Sequence, residues 1–181
     1  MNLIEKCLSR EYLYNGAIIN LRRDKALLPN GAGCHREVVE HPGGVCVAAL
    51  TPQNELLFVR QYRYPYGEII LELPAGKLSH GESPLACGKR ELKEETGAVA
   101  KDYHSLGILY PTPGYCDEKI YMYFARVESV TEPSPDEDEF VETVRIPLDE
   151  ALRMVLSGEI CDAKTQTSVM KVYYMLNAGD V

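Results

Sequence analysis

The sequence predicts a mixed α/β or α+β layer protein, and three observations in its 181 residues predict it. Short β-rich runs punctuated by turn residues fill most of the chain before residue 148. One strongly capped helix pattern interrupts them at 84–96. Two more helical patterns follow at 148–156 and 165–176. Strands grouped around a central helix, with helices at the end, bury their apolar faces by stacking in layers. At 45% hydrophobic residues the chain can build the core of one ordinary domain with a small appendage.

In order, EYLY and AIINLRR flank Asn15-Gly16, the strongest short hairpin signal, and HREVVE follows Pro29-Asn30-Gly31. So small a lead-in has too little apolar surface to stand alone, so it is expected to pack on the rest of the chain or on a second subunit. His41-Pro42-Gly43-Gly44 breaks the pattern and places the boundary, with a β-rich segment at 1–41 and the main domain at 42–181. VCVAAL and ELLFVRQYR around Thr51-Pro52-Gln53-Asn54 read as a hairpin of buried strands, and a strand at 68–73 leads into a Pro74-Ala75-Gly76 loop. Ser83 then reads as a helix N-cap, Pro84 as the first helical residue and Gly97 as the stop. YHSLGILY, KIYMYFARV and VETVRIPL are the remaining strands, the first two joined by Pro111-Thr112-Pro113-Gly114.

A net charge of −8 with a pI near 5.1 lacks the basic footprint that nucleic acid or an anionic membrane requires, so neither partner is expected. Six cysteines show no CxxC pair and read as reduced thiols, and no span approaches 18 apolar residues. The cytoplasm is the expected compartment.

At about 100° per residue, Cys87, Glu91, Glu94 and Glu95 share one helix sector, with Leu85 and Leu92 on the adjacent stripe expected to bury. Glu91 and Glu95 stand four apart, a like-charge spacing that costs roughly 0.2–0.5 kcal/mol. An acidic surface helix is the plain reading of that pair. A hard divalent cation is the counter-charge that would relieve it, since Mg²⁺ takes oxygen ligands and bridges carboxylates to phosphates.

Gly76, Glu82, Arg90, Glu91, Leu92, Glu94, Glu95 and Gly97 satisfy G-x5-E-x7-R-E-hydrophobic-x-E-E-x-G at every fixed position. This stretch resembles the Nudix box. The flanking R-Q-Y-R at 60–63, L-E-L-P-A-G-K at 71–77 and G-E-I-C-D-A-K-T at 158–165 are similar to the ADP-ribose pyrophosphatase family, with the likeness running over roughly 36–165. The resemblance implies a Nudix-type α/β/α sandwich with a mixed central sheet. It implies a diphosphate hydrolase using Mg²⁺, with Mn²⁺ able to substitute, that splits ADP-ribose into AMP and ribose 5-phosphate. A different nucleoside diphosphate (an ADP-sugar, NADH or a damaged nucleotide) is the alternative substrate. A non-catalytic nucleotide sensor is disfavoured because no box carboxylate is missing.

The same resemblance assigns roles. Glu91, Glu95 and the Ala75 carbonyl would hold metal, Glu94 and Arg90 would assist catalysis, and Arg63 would contact phosphate. Arg36 and Glu37 would meet the adenosine end, often across a homodimer interface, with Gly114 and Glu118 toward the ribose. Within the acidic run Asp136-Glu137-Asp138-Glu139, most naturally a solvated loop, register favours Glu137 as the residue activating water, with Glu139 its competitor. No histidine has metal-ligand spacing. Tyr62, Tyr64, Tyr66 and Tyr115 read mainly as packing aromatics.

Overall fold

The computed structural model describes residues 2–136 and 139–179. Its elements are β1 Lys6–Asn15, β2 Asn20–Leu27, β3 Gly33–Glu40, β4 Gly44–Leu50, β5 Glu55–Arg63, β6 Glu68–Glu72, β7 Ala75–Lys77, α1 Pro84–Thr96, β8 Ala98–Leu109, β9 Ile120–Val130, β10 Val141–Pro147, α2 Leu148–Ser157 and α3 Ala163–Ala178. They divide into two units: residues up to Gly43 together with Tyr110–Lys119, and Gly44–Leu109 together with the chain from Ile120 onward.

The first unit is an antiparallel meander, β1-β2-β3. Asn15-Gly16 does open a hairpin, but the connection runs through Ile19, whose carbonyl accepts from Gly16 N–H at 3.0 Å, so β2 starts at Asn20 and not at Ala17. The 110–119 segment adds to β3, with Val39 donating to Tyr115 O (2.7 Å) and accepting from Asp117 N (3.0 Å). All ten residues of β1 are exposed, Leu8, Tyr12, Leu13 and Tyr14 among them.

The second unit is built on a mixed sheet in the order β10-β5-β4-β9-β8, in which β4 and β9 run parallel and the other pairs antiparallel. Every residue of β4 is buried, as expected of a strand covered on both faces. Its alternation sorts the core into two layers. Cys46, Ala48 and Leu50 pack with Leu148, Ala151, Val155, Val169 and Val172 of α2 and α3, while Val45, Val47 and Ala49 pack with Cys87 and Leu92 of α1. This is the three-layer arrangement expected.

One feature of the sheet positions everything that follows. β4 and β5 leave a tight turn, with Asn54 at φ 62°, and pair only at Leu50–Leu56. Beyond that point the intervening chain occupies the inner edges of both strands: β6 pairs with β5 and β7 with β4. Pro74-Ala75-Gly76, expected to be a loop, is therefore not one: Ala75 and Gly76 belong to the three-residue strand β7. The stripe on α1 also needs correction. Leu92 is fully buried, but Leu85 is 37% exposed, because the face turned to the sheet carries Cys87, Gly88, Glu91 and Glu95 instead. Tyr62, Tyr64, Tyr66 and Tyr115 are likewise all exposed and contribute nothing to a core.

Candidate active site

Helix α1 is fixed at both ends by its sequence. Ser83 Oγ accepts from Ala86 N (3.2 Å), Pro84 occupies the first turn, and Gly97 closes the helix at φ 68° with its N–H on Lys93 O. Gly97 is required twice over, since a Cβ there would also lie 1.9 Å from Thr131 O. The buried face of α1 directs two carboxylates at the main chain of β7. Glu95 Oε2 accepts from Ala75 N–H at 3.1 Å, and the Glu91 carboxylate lies so close to Gly76 that a Cβ would sit 1.9 Å from it. Only glycine leaves room for that carboxylate, which is the physical reason for the residue that opens the motif.

Both carboxylates are held out of water, Glu95 at 2% and Glu91 at 6% exposure. Burial pushes the Glu95 carboxyl up to about 8; the Ala75 N–H and the charge of Arg63 oppose this, while the charges of Glu91 and Glu139 add to it. Burial also raises Glu91, against the attraction of Arg90 and with the repulsion of Glu94 and Glu139. Two buried carboxylates plus the approaching charge of Glu139 thus exceed the positive charge at hand. Arg90 is the hub of the surrounding carboxylates. It donates to Glu82 through Nε and Nη2 (3.0 and 3.2 Å), to Glu94 through Nη1 (2.8 Å), and lies 2.9 Å from Glu91. The Arg90 fork lowers the Glu82 carboxyl to about 2, helped by Ser79 N–H. Arg90 therefore spends its charge on three carboxylates, and the charge of Arg63 does not offset burial at Glu95.

Among the described residues no three His, Cys, Asp or Glu side chains form a finished metal cage. What is present is a pair of hard oxygen donors against the Ala75–Gly76 main chain with negative charge in excess. That donor set fits Mg²⁺ or Mn²⁺, which complete their shells with water and substrate oxygens.

The acidic loop is tied to the end of α1. Thr131 donates to Gly97 O through N (2.8 Å) and Oγ1 (3.1 Å), Ser134 N to Glu94 O (2.8 Å), and Thr143 Oγ1 to Glu95 O (3.0 Å). Glu139 N–H donates to Asp136 O at 2.9 Å, and its charge reaches both Glu91 and Glu95. Glu137, favoured by register, lies outside the described residues.

Arg63, at the end of β5, donates through Nε and Nη2 to the two oxygens of Glu72 at 2.6 and 2.8 Å. Its side chain is 37% exposed while that of Glu72 is 3% exposed, so one edge of the guanidinium is anchored and another faces outward. Glu72 and its second cation, Lys164, had no assigned role from sequence. The only signal was a glutamate ending a buried strand and a lysine opening a helix.

The other expected residues lie in the first unit. Arg36 is paired with Glu5 (3.0 and 2.7 Å), Glu37 is exposed on β3, Gly114 is in an exposed turn, and Glu118 is 3.4 Å from His41 Nδ1.

A family model described as NUDIX domain matches residues 40–165, and one described as nucleoside diphosphate sugar hydrolase N-terminal domain matches residues 5–44. The chain is 41% identical over 170 residues to an ADP-ribose pyrophosphatase of Bacillus subtilis (strain 168), spanning 93% of this chain and 92% of that protein. It is 41% identical over 167 residues to a methanol dehydrogenase activator of Bacillus methanolicus, spanning 91% and 90% respectively. A crystal structure of an ADP compounds hydrolase shares the fold, with a TM-score of 0.85, 22% identity and full coverage of both chains.

Proposed function

The chain belongs to the NUDIX family and is a pyrophosphatase of that type, and from that premise we propose that it hydrolyses the diphosphate of ADP-ribose to AMP and ribose 5-phosphate. The observation behind this reading is the convergence of Glu91 and Glu95 on the Ala75–Gly76 main chain with charge left to neutralise. Glu91, Glu95 and the Ala75 carbonyl are the groups that would hold Mg²⁺ or Mn²⁺. When bound, the ion neutralises charge on the phosphates and lowers the pKa of water.

The remaining work falls to the protein. Arg63 offers its outward edge to phosphate oxygens, where a planar guanidinium donates parallel hydrogen bonds. Arg90 holds Glu91 and Glu94 in place from Glu82. Glu139 accepts the proton of the attacking water, a role supported by the reach of its charge to Glu91 and Glu95; Glu137 is its competitor on the same loop. Glu118, Gly114, Arg36 and Glu37 are assigned to the ribose and adenosine ends.

Another nucleoside diphosphate sugar is the second reading, favoured by the match of residues 5–44 to the N-terminal domain of such hydrolases. We assign residues 1–41 to a homodimer contact, supported by the exposed Leu8, Tyr12, Leu13 and Tyr14 of β1. Among the described residues no helix is long and apolar enough to cross a membrane; we place the protein in the cytoplasm. A panel of nucleoside diphosphates incubated with purified protein and Mg²⁺, with products separated by chromatography, tests the reading. AMP and ribose 5-phosphate from ADP-ribose at the highest kcat/KM is the expected result, and faster hydrolysis of an ADP-sugar or NADH overturns the substrate assignment.

A further inference from the structure

Behind Arg63 the second unit buries a charge relay that neither the metal carboxylates nor the packing requires. Lys164 Nζ donates to Glu72 Oε2, the same oxygen that receives Arg63 Nη2, and lies 3.0 Å from Asp162 Oδ1. Asp162 Oδ2 caps α3, accepting from Thr165 N (3.0 Å) and Thr165 Oγ1 (2.5 Å), and that hydroxyl accepts from Leu73 N–H (2.9 Å). The start of α3 is thereby locked to the residue following Glu72. Glu72 is 2% and Lys164 9% exposed. Buried ion pairs seldom add net stability over apolar side chains of similar size, so packing alone does not account for this one.

We propose that Glu72 and Lys164 are positioning residues for Arg63: the carboxylate clamps one edge of the guanidinium, and the ammonium holds that carboxylate in place so that the open edge stays aimed outward for a phosphate. Among the described residues Arg63 Nη1 has no hydrogen bond, which leaves a donor free on the open edge. Asp162 also answers Lys164, so the four groups carry no net charge, and what Lys164 adds is a second hold on the Glu72 carboxylate. With it, Glu72 answers two cations, and the fixed Nε–Nη2 grip aims the outward edge before substrate arrives. Lys164 touches no substrate in this account; it acts through Glu72. The inference rests on the diphosphate-hydrolase reading above.

The test is a double-mutant cycle on the full chain with Mg²⁺ and ADP-ribose, using wild type, Arg63→Ala, Lys164→Met and the pair, with Lys164→Arg as the conservative control. Lys164→Met is expected to lower kcat/KM by about 10–100-fold, to have under about twofold further effect once Arg63 is alanine, and to be largely rescued by Lys164→Arg, which keeps charge and donors. Losses that multiply in the pair, or a Lys164→Met enzyme with near-normal kcat/KM, overturn the proposal. If Lys164→Met does not give a cooperative melt, the neutral pair Glu72→Gln/Lys164→Met replaces it in the same cycle, with the same criteria. A wild type that hydrolyses no nucleoside diphosphate overturns the hydrolase reading itself, whereas an active wild type with multiplying losses overturns only the relay.

Discussion

Glu72 and Glu95 are both 2% exposed, both sit in the second unit, and their carboxyls are driven in opposite directions. Burial pushes each one up. At Glu72, hydrogen bonds and charge from Arg63 and Lys164 outweigh burial and bring the carboxyl below its ordinary value. At Glu95 a backbone N–H and the charge of Arg63 oppose burial without matching it, two neighbouring carboxylates reinforce it, and the carboxyl rises to about 8. Equal burial therefore carries no information about role. The supply of counter-charge does: one carboxylate has its cations built in and can hold a neighbour in place, while the other is short of counter-charge, which the proposed Mg²⁺ would supply.

The largest effect expected from breaking this contrast is at Glu95. Glu95→Gln removes a metal donor worth several kcal/mol of transition-state charge stabilisation, so kcat/KM should fall by about 10³-fold. Its melting temperature without metal should match or exceed that of wild type, since the substitution relieves crowding with Glu91. A lower melting temperature together with retained turnover would erase the distinction between the two sites.

The same change at Glu72 should act on stability. Glu72→Gln leaves Arg63 without its carboxylate and Lys164 with Asp162 alone, and breaking a buried pair costs about 3–5 kcal/mol, read as a lower urea midpoint. The pH dependence follows from the lowered carboxyl. Its stabilisation is fully present above the ordinary value of 4.5 and is lost as pH falls through the lower folded value. Wild type should therefore lose stability through that acid window, and Glu72→Gln should lose less of it; identical acid profiles would contradict the pairing.

A smaller effect distinguishes the loop carboxylates. Glu139→Gln should lower kcat and kcat/KM together by about 10²-fold, the lower end for a general base, while Glu137→Gln changes them by less than about tenfold. The reverse ranking would move the base to Glu137.

Much of this was legible in the sequence, for stated reasons. Ser83, Pro84 and Gly97 delimit α1 to the residue because capping is local chemistry, and the carboxylate spacing puts Glu91 and Glu95 on one face without any fold. Legibility failed where partners are distant. Nothing in the sequence says that β4 and β5 part after one pair and admit Ala75–Lys77 between them, which is what brings the main chain to Glu91 and Glu95. Glu72 and Lys164 stand 92 residues apart, so neither announces the other. The Arg90 hub was not legible either, because a long side chain can return to reach Glu82, eight residues before it.

The most direct test of the central claim, that Glu95 awaits a cation, is thermal melting of wild type and Glu95→Gln in chelator and in saturating Mg²⁺. A ligand at about 100 times its Kd stabilises by about 2.7 kcal/mol, which for a chain of this size raises Tm by about 5 °C or more. Wild type should show that rise and Glu95→Gln should not. An equal rise in both proteins, or none in wild type, would contradict the account.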